Sequence, residues 1–215
     1  MKRFVVCIAG ALAGIVASSG AMADPSFPAS LDSKASPFMR VYGPSQAPYG
    51  FVRFCESNPQ ACAPQRMEDV RFQPTPERLS ELDEVNRWAN HVIAPATDQE
   101  IYGVSEFWTY PVDRGDCEDY ALLKQSVLLA RGWPKSSLLL TVVRDEKGEG
   151  HAVLTARTAQ GDFVLDNKVD DVRLWNTSGY YFIMRQSYLD PRVWVSLDIN
   201  DRTAPDAIAG VREPH

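Results

Sequence analysis

The fold of this chain is decided by the stretch Arg114-Gly115-Asp116-Cys117-Glu118-Asp119-Tyr120, in which one cysteine stands among three carboxylates. A helical apolar pattern begins at this cysteine and predicts a helix over residues 117–131, which stops at Gly132-Trp133-Pro134. Because that pattern is apolar almost all round, we expect the helix to be buried against a sheet. The cysteine therefore lies at the N-terminus of a buried helix.

The segments on either side predict a helix before this stretch and an antiparallel sheet after it. The earlier helix starts at Thr75-Pro76, an N-cap followed by proline at the first helical position, and runs towards Pro95. Strand-like patterns separated by turns occupy residues 138–144, 151–157, 163–166, 180–185 and 193–197. Helices followed by an antiparallel sheet predict an α+β fold, with the cysteine-bearing helix packed on the sheet.

The ends of the chain differ from its centre. Residues 1–23 have the pattern of a signal peptide, with a short positive region, an apolar run and the small residues of a cleavage site. We predict an extended arm over 24–50, one domain over 51–200 and a loose tail over 201–215. The first apolar run is too short for a membrane span and no later one suffices, so a periplasmic product is expected. An uncleaved anchor is the alternative.

Composition and cysteine spacing narrow the function further. The formal net charge is −6 and no basic stripe is present, which argues against nucleic-acid binding. Cys55 and Cys62 are seven residues apart across a turn that contains proline. In an oxidising compartment this spacing favours a local disulfide over a two-thiolate metal site, since no second His or Cys pair accompanies it. Cys117 is then a free reactive thiol or an intermolecular link.

The neighbours of Cys117 set an electrostatic problem. A thiol is a good nucleophile only as thiolate, and a helix N-terminus favours that anion. Asp116, Glu118 and Asp119 oppose it, since like charges disfavour a second anion. A cation must therefore offset these carboxylates. The sequence offers two, a protonated histidine paired with the thiolate and a metal ion held by the acids.

His151 and Asp166 are the residues expected to complete a nucleophilic site. The turn at residues 159–162 folds the two predicted strands together and brings His151 within a residue or two of Asp166. Asp166 would then orient the imidazole towards Cys117, with Asn167 as the substitute if the register differs by one. For the oxyanion we expect the backbone N–H of Cys117, with the Trp108 side chain as a further donor.

Each of these residues also has an ordinary structural interpretation. A lone helical cysteine is usually a small buried hydrophobic residue, a strand histidine is commonly structural, and acids in a first helical turn favour the helix dipole. Asp116 is also well placed as an N-cap. The order of Cys, His and Asp together with the helix-then-hairpin context favours catalysis over these interpretations.

At these residues the chain resembles the bacterial transglutaminase-like cysteine proteinases. The matching motifs are Gly115-Asp116-Cys117-Glu118-Asp119-Tyr120-Ala121, Gly150-His151-Ala152-Val153 and Val164-Leu165-Asp166-Asn167. Supporting matches are the Cys55…Cys62 loop, Val85-Asn86…Asn90, and Trp108, Tyr110 and Pro111. The resemblance implies a papain-like, transglutaminase-like fold with Cys117, His151 and Asp166 as the catalytic triad.

The LapG-like branch of that family implies a cofactor and partners. In that branch calcium binds carboxylates beside the cysteine, which here correspond to Asp116 and Glu118, with Asp119 close enough to join. Hard oxygen ligands suit calcium. The branch also implies a protein substrate such as a surface adhesin, and an inner-membrane regulatory receptor. The disulfide cysteines suggest a branch whose substrate differs.

Three functions remain open at the level of sequence. The first is a periplasmic cysteine endopeptidase that acts through a thioester acyl-enzyme. The second is a transglutaminase, which would pass the same acyl group to an amine instead of water. The third is a non-enzymatic module that binds calcium or a partner, in which Cys117 is inert.

Overall fold

We describe the fold from a computed structural model of the chain, in which residues 36–64 and 70–200 are described. The predicted signal peptide over 1–23 and the predicted tail over 201–215 lie outside the described residues, as does the first part of the predicted arm. Among the described residues, no helix combines the length and the apolar character that crossing a bilayer requires.

The helices of the described chain precede most of its strands. Their bounds are α1 Tyr49–Ser57, α2 Pro76–Val92, α3 Asp98–Ile101 and α4 Cys117–Ala130. The helix α2 begins where the sequence predicts, because the Thr75 side chain accepts a hydrogen bond from the backbone N–H of Arg78 at 3.3 Å. The helix α4 ends at a left-handed Gly132, and the N–H of Trp133 bonds back to the Leu128 carbonyl at 3.0 Å.

Among the described residues, seven strands form one antiparallel sheet. Their bounds are β1 Gly43–Ser45, β4 Leu138–Arg144, β5 Gly150–Thr158, β6 Gly161–Leu165, β7 Arg173–Leu174, β8 Tyr181–Gln186 and β9 Trp194–Ser196, in the order β1-β9-β8-β4-β5-β6-β7. A separate parallel pair joins β2 (Ala94–Pro95) to β3 (Arg114–Gly115). The five predicted strands have bounds within two residues of those observed, whereas the edge strands β1 and β7 were not predicted.

The sheet carries apolar residues on both faces. Leu140, Leu154 and Leu165 alternate with Val143, Val153 and Val164 along paired strands, and the two sets belong to separate buried clusters. The first cluster includes Leu122 and Leu128 of α4 and residues of α2. The helix α4 thus lies between β5 and α2, which confirms the predicted α+β fold with the cysteine-bearing helix packed on an antiparallel sheet.

The segment before α2 is more ordered than the sequence indicates. Residues 43–45, within the predicted arm, pair with β9, and α1 begins before the predicted domain boundary at residue 51. Cys55, near the end of α1, forms a disulfide with Cys62 in the turn that follows. The Lys135 ammonium donates to the carbonyls of Ala61 and Ala63, at 2.6 and 3.3 Å, which ties the turn to the start of the sheet.

Removing the disulfide tests how much this turn stabilises the fold. We expect the double variant Cys55→Ser, Cys62→Ser to lower the free energy of unfolding by about 2 kcal/mol, because closing a short loop restricts the unfolded chain. Urea denaturation measures the difference. Ser57→Ala, between the two cysteines at the end of α1 and with the bridge intact, is the control. Equal stability of the double variant and the wild type would contradict a stabilising role.

Candidate active site

The approach to α4 is fixed by the small parallel pair β2–β3. The N–H of Ala96 donates to the Gly115 carbonyl at 3.0 Å. The segment just before α4 is thus bonded to the segment that follows α2. A Cβ at Gly115 would lie 2.8 Å from the Asp119 side chain. The close approach of the Asp119 side chain therefore requires glycine at this position.

Cys117 is half-buried at the first position of α4, beside the start of β5. Its thiol donates to Glu118 Oε2 at 3.1 Å, and its sulfur accepts the backbone N–H of Ala152 at 3.4 Å. Ala152 directly follows His151 in β5. The structure thus brings the sequence-predicted cysteine and histidine to the same end of the sheet.

His151 and Asp166 form a buried hydrogen-bonded pair. The pairing of Leu154 with Leu165 places Asp166, one residue further on, within two residues of His151 across the ladder, as expected. The distance from His151 Nε2 to Asp166 Oδ1 is 2.8 Å. Because Nε2 faces a carboxylate, it carries the proton of the neutral ring, and Nδ1 is left as the basic nitrogen. Asp166 rather than Asn167 is the partner.

Asp166 is held as a carboxylate by several donors. Burial raises the pKa of Asp166, but the hydrogen bond from His151, and the charge of its ring when protonated, act against it. The N–H of Lys168, at 3.0 Å from Oδ1, and the hydroxyl of Tyr180 lower the pKa further, and the net shift is downward. The carboxylate therefore stays charged at neutral pH.

A second set of acids surrounds the cysteine. Asp98, Asp116 and Glu118 each place a carboxylate oxygen within 4.8 Å of the others. Within the described part of the chain, Oδ1 of Asp98 and Oδ1 of Asp116 are buried without a hydrogen-bond partner. The geometry adds Asp98 to the predicted Asp116 and Glu118. The predicted Asp119 accepts the Thr109 N–H with Oδ1 at 2.9 Å, and its Oδ2 is buried without a hydrogen-bond partner among the described residues.

Asp98 was not predicted as a ligand because the sequence pattern around it indicates only the start of a helix. Thr97 and Glu100 form a capping box, so the pattern Thr97-Asp98-Gln99-Glu100 predicts the short helix α3 but no ligand. The Phe107 N–H donates to Asp98 Oδ2, which leaves Oδ1 for the acid group.

Burial is the largest cause that raises the pKa values of these acids and of the Cys117 thiol. Burial raises the pKa of Asp98 to about 6, with a further contribution from the charge of Asp116, and burial raises the pKa of Asp119 to about 8. The pKa values of Asp116 and Glu118 are also raised by burial. Burial, together with the charges of Glu118 and Asp116, raises the pKa of the Cys117 thiol well above its ordinary range.

The acid group fits a hard divalent cation. Three carboxylates from two segments converge, and two of their buried oxygens have no partner among the described residues. A divalent ion would take up these oxygens and favour the charged form of each acid. All-oxygen ligands suit calcium rather than a thiolate-seeking metal.

Trp108 belongs to the core rather than to an open site. Its indole N–H donates to Glu106 Oε1 at 2.9 Å, and its ring packs edge-on against Phe51 and Trp194, with centroids 5.8 and 6.4 Å away. The expected use of Trp108 as an oxyanion donor is therefore not supported by its position, since its N–H is already engaged. The Cys117 N–H stays a prediction.

Comparison with known proteins identifies the family. The sequence model described as "Bacterial transglutaminase-like cysteine proteinase BTLCP" matches residues 41–202, three-quarters of the chain. The chain belongs to this family. The resemblance carried by the motifs around Cys117, His151 and Asp166 is confirmed, and membership makes the protein a cysteine peptidase with a transglutaminase-like fold.

Solved structures of LapG from Legionella pneumophila are similar to this chain. EGTA-treated LapG is 26% identical, with a TM-score of 0.45, and the match covers 53% of this chain and 64% of that one. Calcium-bound LapG is 24% identical, with a TM-score of 0.48, and the match covers 64% and 77%. The chain thus spans less than two thirds of the EGTA-treated structure. A comparison with curated proteins gave no match.

The raised carboxyl pKa values predict how stability depends on pH without bound metal. Folded-state pKa values of about 6 for Asp98 and about 8 for Asp119 exceed the ordinary value for unfolded Asp, so the folded protein binds more protons in this range. In metal-stripped protein we therefore expect the melting temperature to fall as pH rises from about 5 to about 8.

Asp98→Asn is the matched variant for this measurement, because the amide keeps the acceptor for the Phe107 N–H and removes the ionisable group. We expect the fall in melting temperature to be smaller in Asp98→Asn than in the wild type. A melting temperature that rises over the same pH range in the wild type would show that these acids are not held protonated by the fold.

Proposed function

We propose that this protein is a periplasmic cysteine endopeptidase in which Cys117 is the nucleophile, His151 the base and Asp166 the group that orients His151. The observation that carries the proposal is the 2.8 Å hydrogen bond between His151 and Asp166, one residue from the backbone N–H that contacts the Cys117 sulfur. The cysteine at a helix N-terminus, the basic ring nitrogen and the charged orienting group are the parts that acyl transfer requires.

The reaction follows from these positions. His151 Nδ1 takes the thiol proton of Cys117, and the thiolate attacks the carbonyl carbon of a peptide bond. The carbon–nitrogen bond breaks, the leaving amine takes the proton from His151, and a thioester forms on Cys117. Water then gives a proton to His151 and adds to the thioester, which releases the carboxylic acid and restores the thiol. Asp166 keeps the imidazole in orientation and stabilises its protonated form.

The proposed cation site consists of Asp98, Asp116 and Glu118, whose oxygens lie within 4.8 Å of one another. Calcium bound by these carboxylates would offset the negative charge that opposes the Cys117 thiolate. The proposed set leaves out Asp119, which lies outside the group of three. Its Oδ1 accepts the Thr109 N–H and positions the segment before α4, and its Oδ2 is buried without a hydrogen-bond partner among the described residues.

The proposed substrate is a protein of the cell envelope or surface, with adhesin processing as the LapG-like possibility. The predicted signal peptide over residues 1–23 supports export. By the same resemblance, an inner-membrane receptor that sequesters the enzyme is the proposed regulatory partner.

Loss of the nucleophile tests the proposed activity. We expect Cys117→Ala to abolish the release of a surface-protein fragment, because no thioester can form. The measurement is N-terminal proteomics of proteins shed by cells that carry the wild type or the variant. Ser126→Ala, on the same helix, is the control and should release the fragment normally. Unchanged release in Cys117→Ala would show that the cleavage belongs to another enzyme.

Thermal melting with and without calcium tests the cation site independently of activity. We expect calcium to raise the melting temperature of the wild type, with a stabilisation of about 2.7 kcal/mol at 100 times the dissociation constant. Asp98→Asn should lose most of this stabilisation, and Asp119→Asn should retain it. If calcium instead stabilises Asp98→Asn and not Asp119→Asn, Asp119 rather than Asp98 is the ligand. If calcium does not raise the melting temperature of the wild type, the proposed site is wrong.

A further inference from the structure

Tyr180 contacts both members of the His151–Asp166 pair and lies outside every motif that marks the site. Its hydroxyl donates to Asp166 Oδ2 at 2.5 Å. Its ring meets the His151 ring edge-on, with centroids 5.7 Å apart and planes at 82°. The Tyr180 side chain thus contacts both Asp166 and the His151 ring that Asp166 orients.

The two carboxylate oxygens of Asp166 accept hydrogen bonds from different donors. Oδ1 accepts His151 Nε2 at 2.8 Å and the Lys168 N–H at 3.0 Å. Within the described residues, Tyr180 is the donor to Oδ2. A carboxylate bonded at one oxygen only can rotate about its Cβ–Cγ bond. The Tyr180 hydroxyl opposes that rotation, so it controls the direction in which Oδ1 meets the imidazole.

Tyr180 is itself held by a tight turn just before β8. Its backbone N–H donates to the Ser178 hydroxyl at 3.2 Å, and that hydroxyl donates to the Trp175 carbonyl at 2.8 Å. Gly179 between them has a φ of 83°, a left-handed conformation that favours glycine. This turn therefore fixes the backbone from which the Tyr180 side chain extends towards Asp166.

Tyr180 packs against the second buried cluster without being fully buried itself. The residue is half-buried, and its other side lines a surface cavity of about 230 Å³ together with Tyr42, Trp175 and Phe182. A phenylalanine at position 180 would keep the ring in this cavity wall and its contact with His151. The hydroxyl can therefore be removed with little change in packing.

We propose that Tyr180 is a positioning residue, which acts through Asp166 to fix the orientation of the His151 imidazole towards Cys117. The inference rests on the proposed function, because it assigns a residue to the proposed triad. A hydrogen bond to a charged group is stronger than one between neutral groups. Its loss should slow the step in which His151 takes the thiol proton by about tenfold.

The rate at which iodoacetamide alkylates Cys117, at one neutral pH and a saturating calcium concentration, tests this role without a known substrate. We expect Tyr180→Phe to alkylate about tenfold more slowly than the wild type, with a melting temperature close to it. Tyr42→Phe, which removes a hydroxyl from the wall of the same cavity, is the control and should react normally. Wild-type alkylation in Tyr180→Phe would overturn the inference.

Two further variants separate this inference from the proposed function. In the Asp166→Asn background, Tyr180→Phe should cause little additional slowing, because its effect passes through Asp166. A full additional tenfold loss in that background would assign the effect to packing and overturn the positioning role. His151→Ala should slow alkylation strongly. If His151→Ala is alkylated at the wild-type rate, the proposed triad is wrong. If His151→Ala is alkylated slowly but Tyr180→Phe at the wild-type rate, only the role of Tyr180 is wrong.

Discussion

At the N-terminus of α4, Asp98, Asp116 and Glu118 bring carboxylate oxygens within 4.8 Å of one another, and Glu118 also accepts the Cys117 thiol. The helix dipole favours one negative charge there, but several buried charges repel each other. Burial raises the pKa values of Asp116, Glu118 and the Cys117 thiol, and charge repulsion raises those of Glu118 and Cys117 further. The proposed cation at this end of the helix would relieve the repulsion, and the acids and the nucleophile would then act as one electrostatic unit.

The remainder of the fold holds this unit against the sheet. The helix α4 is confined between β5 and α2, and Gly115 lets β3 approach the Asp119 side chain closely enough to direct the chain into the helix. On the sheet side, the pairing of β5 with β6 brings His151 to Asp166. The nucleophile and its proposed base therefore come from elements that are fixed independently and meet at Ala152.

Local patterns in the sequence predict most of this framework. The bounds of β4 follow from a β-branched and apolar run, and the start of α2 follows from Thr75 and its proline. The pairing of His151 with Asp166 was predictable because a short turn limits the register of a hairpin. The helix α1 and the edge strands β1 and β7 were missed, since these short elements depend on tertiary pairing more than on periodicity.

The site residues that sequence patterns did not indicate come from distant or irregular segments. Asp98 lies near Asp116 and Glu118 because β2 pairs with β3. That pairing involves only two residues of each strand, and no sequence pattern predicts it. For the predicted ligand Asp119, only the folded chain shows that Oδ1 accepts the Thr109 N–H while Oδ2 has no hydrogen-bond partner among the described residues. Tyr180 lies in a turn, and only the folded chain shows its contact with Asp166.

Whether water or an amine takes the acyl group from Cys117 is the direct test of a peptidase. The measurement is mass spectrometry of the cleaved surface protein after reaction in water enriched in oxygen-18. Hydrolysis of a thioester predicts one oxygen-18 atom in the new C-terminal carboxyl group, and none in the Cys117→Ala reaction, which yields no product. An acyl group joined to a lysine amine, without oxygen-18, would contradict the account and identify a transglutaminase.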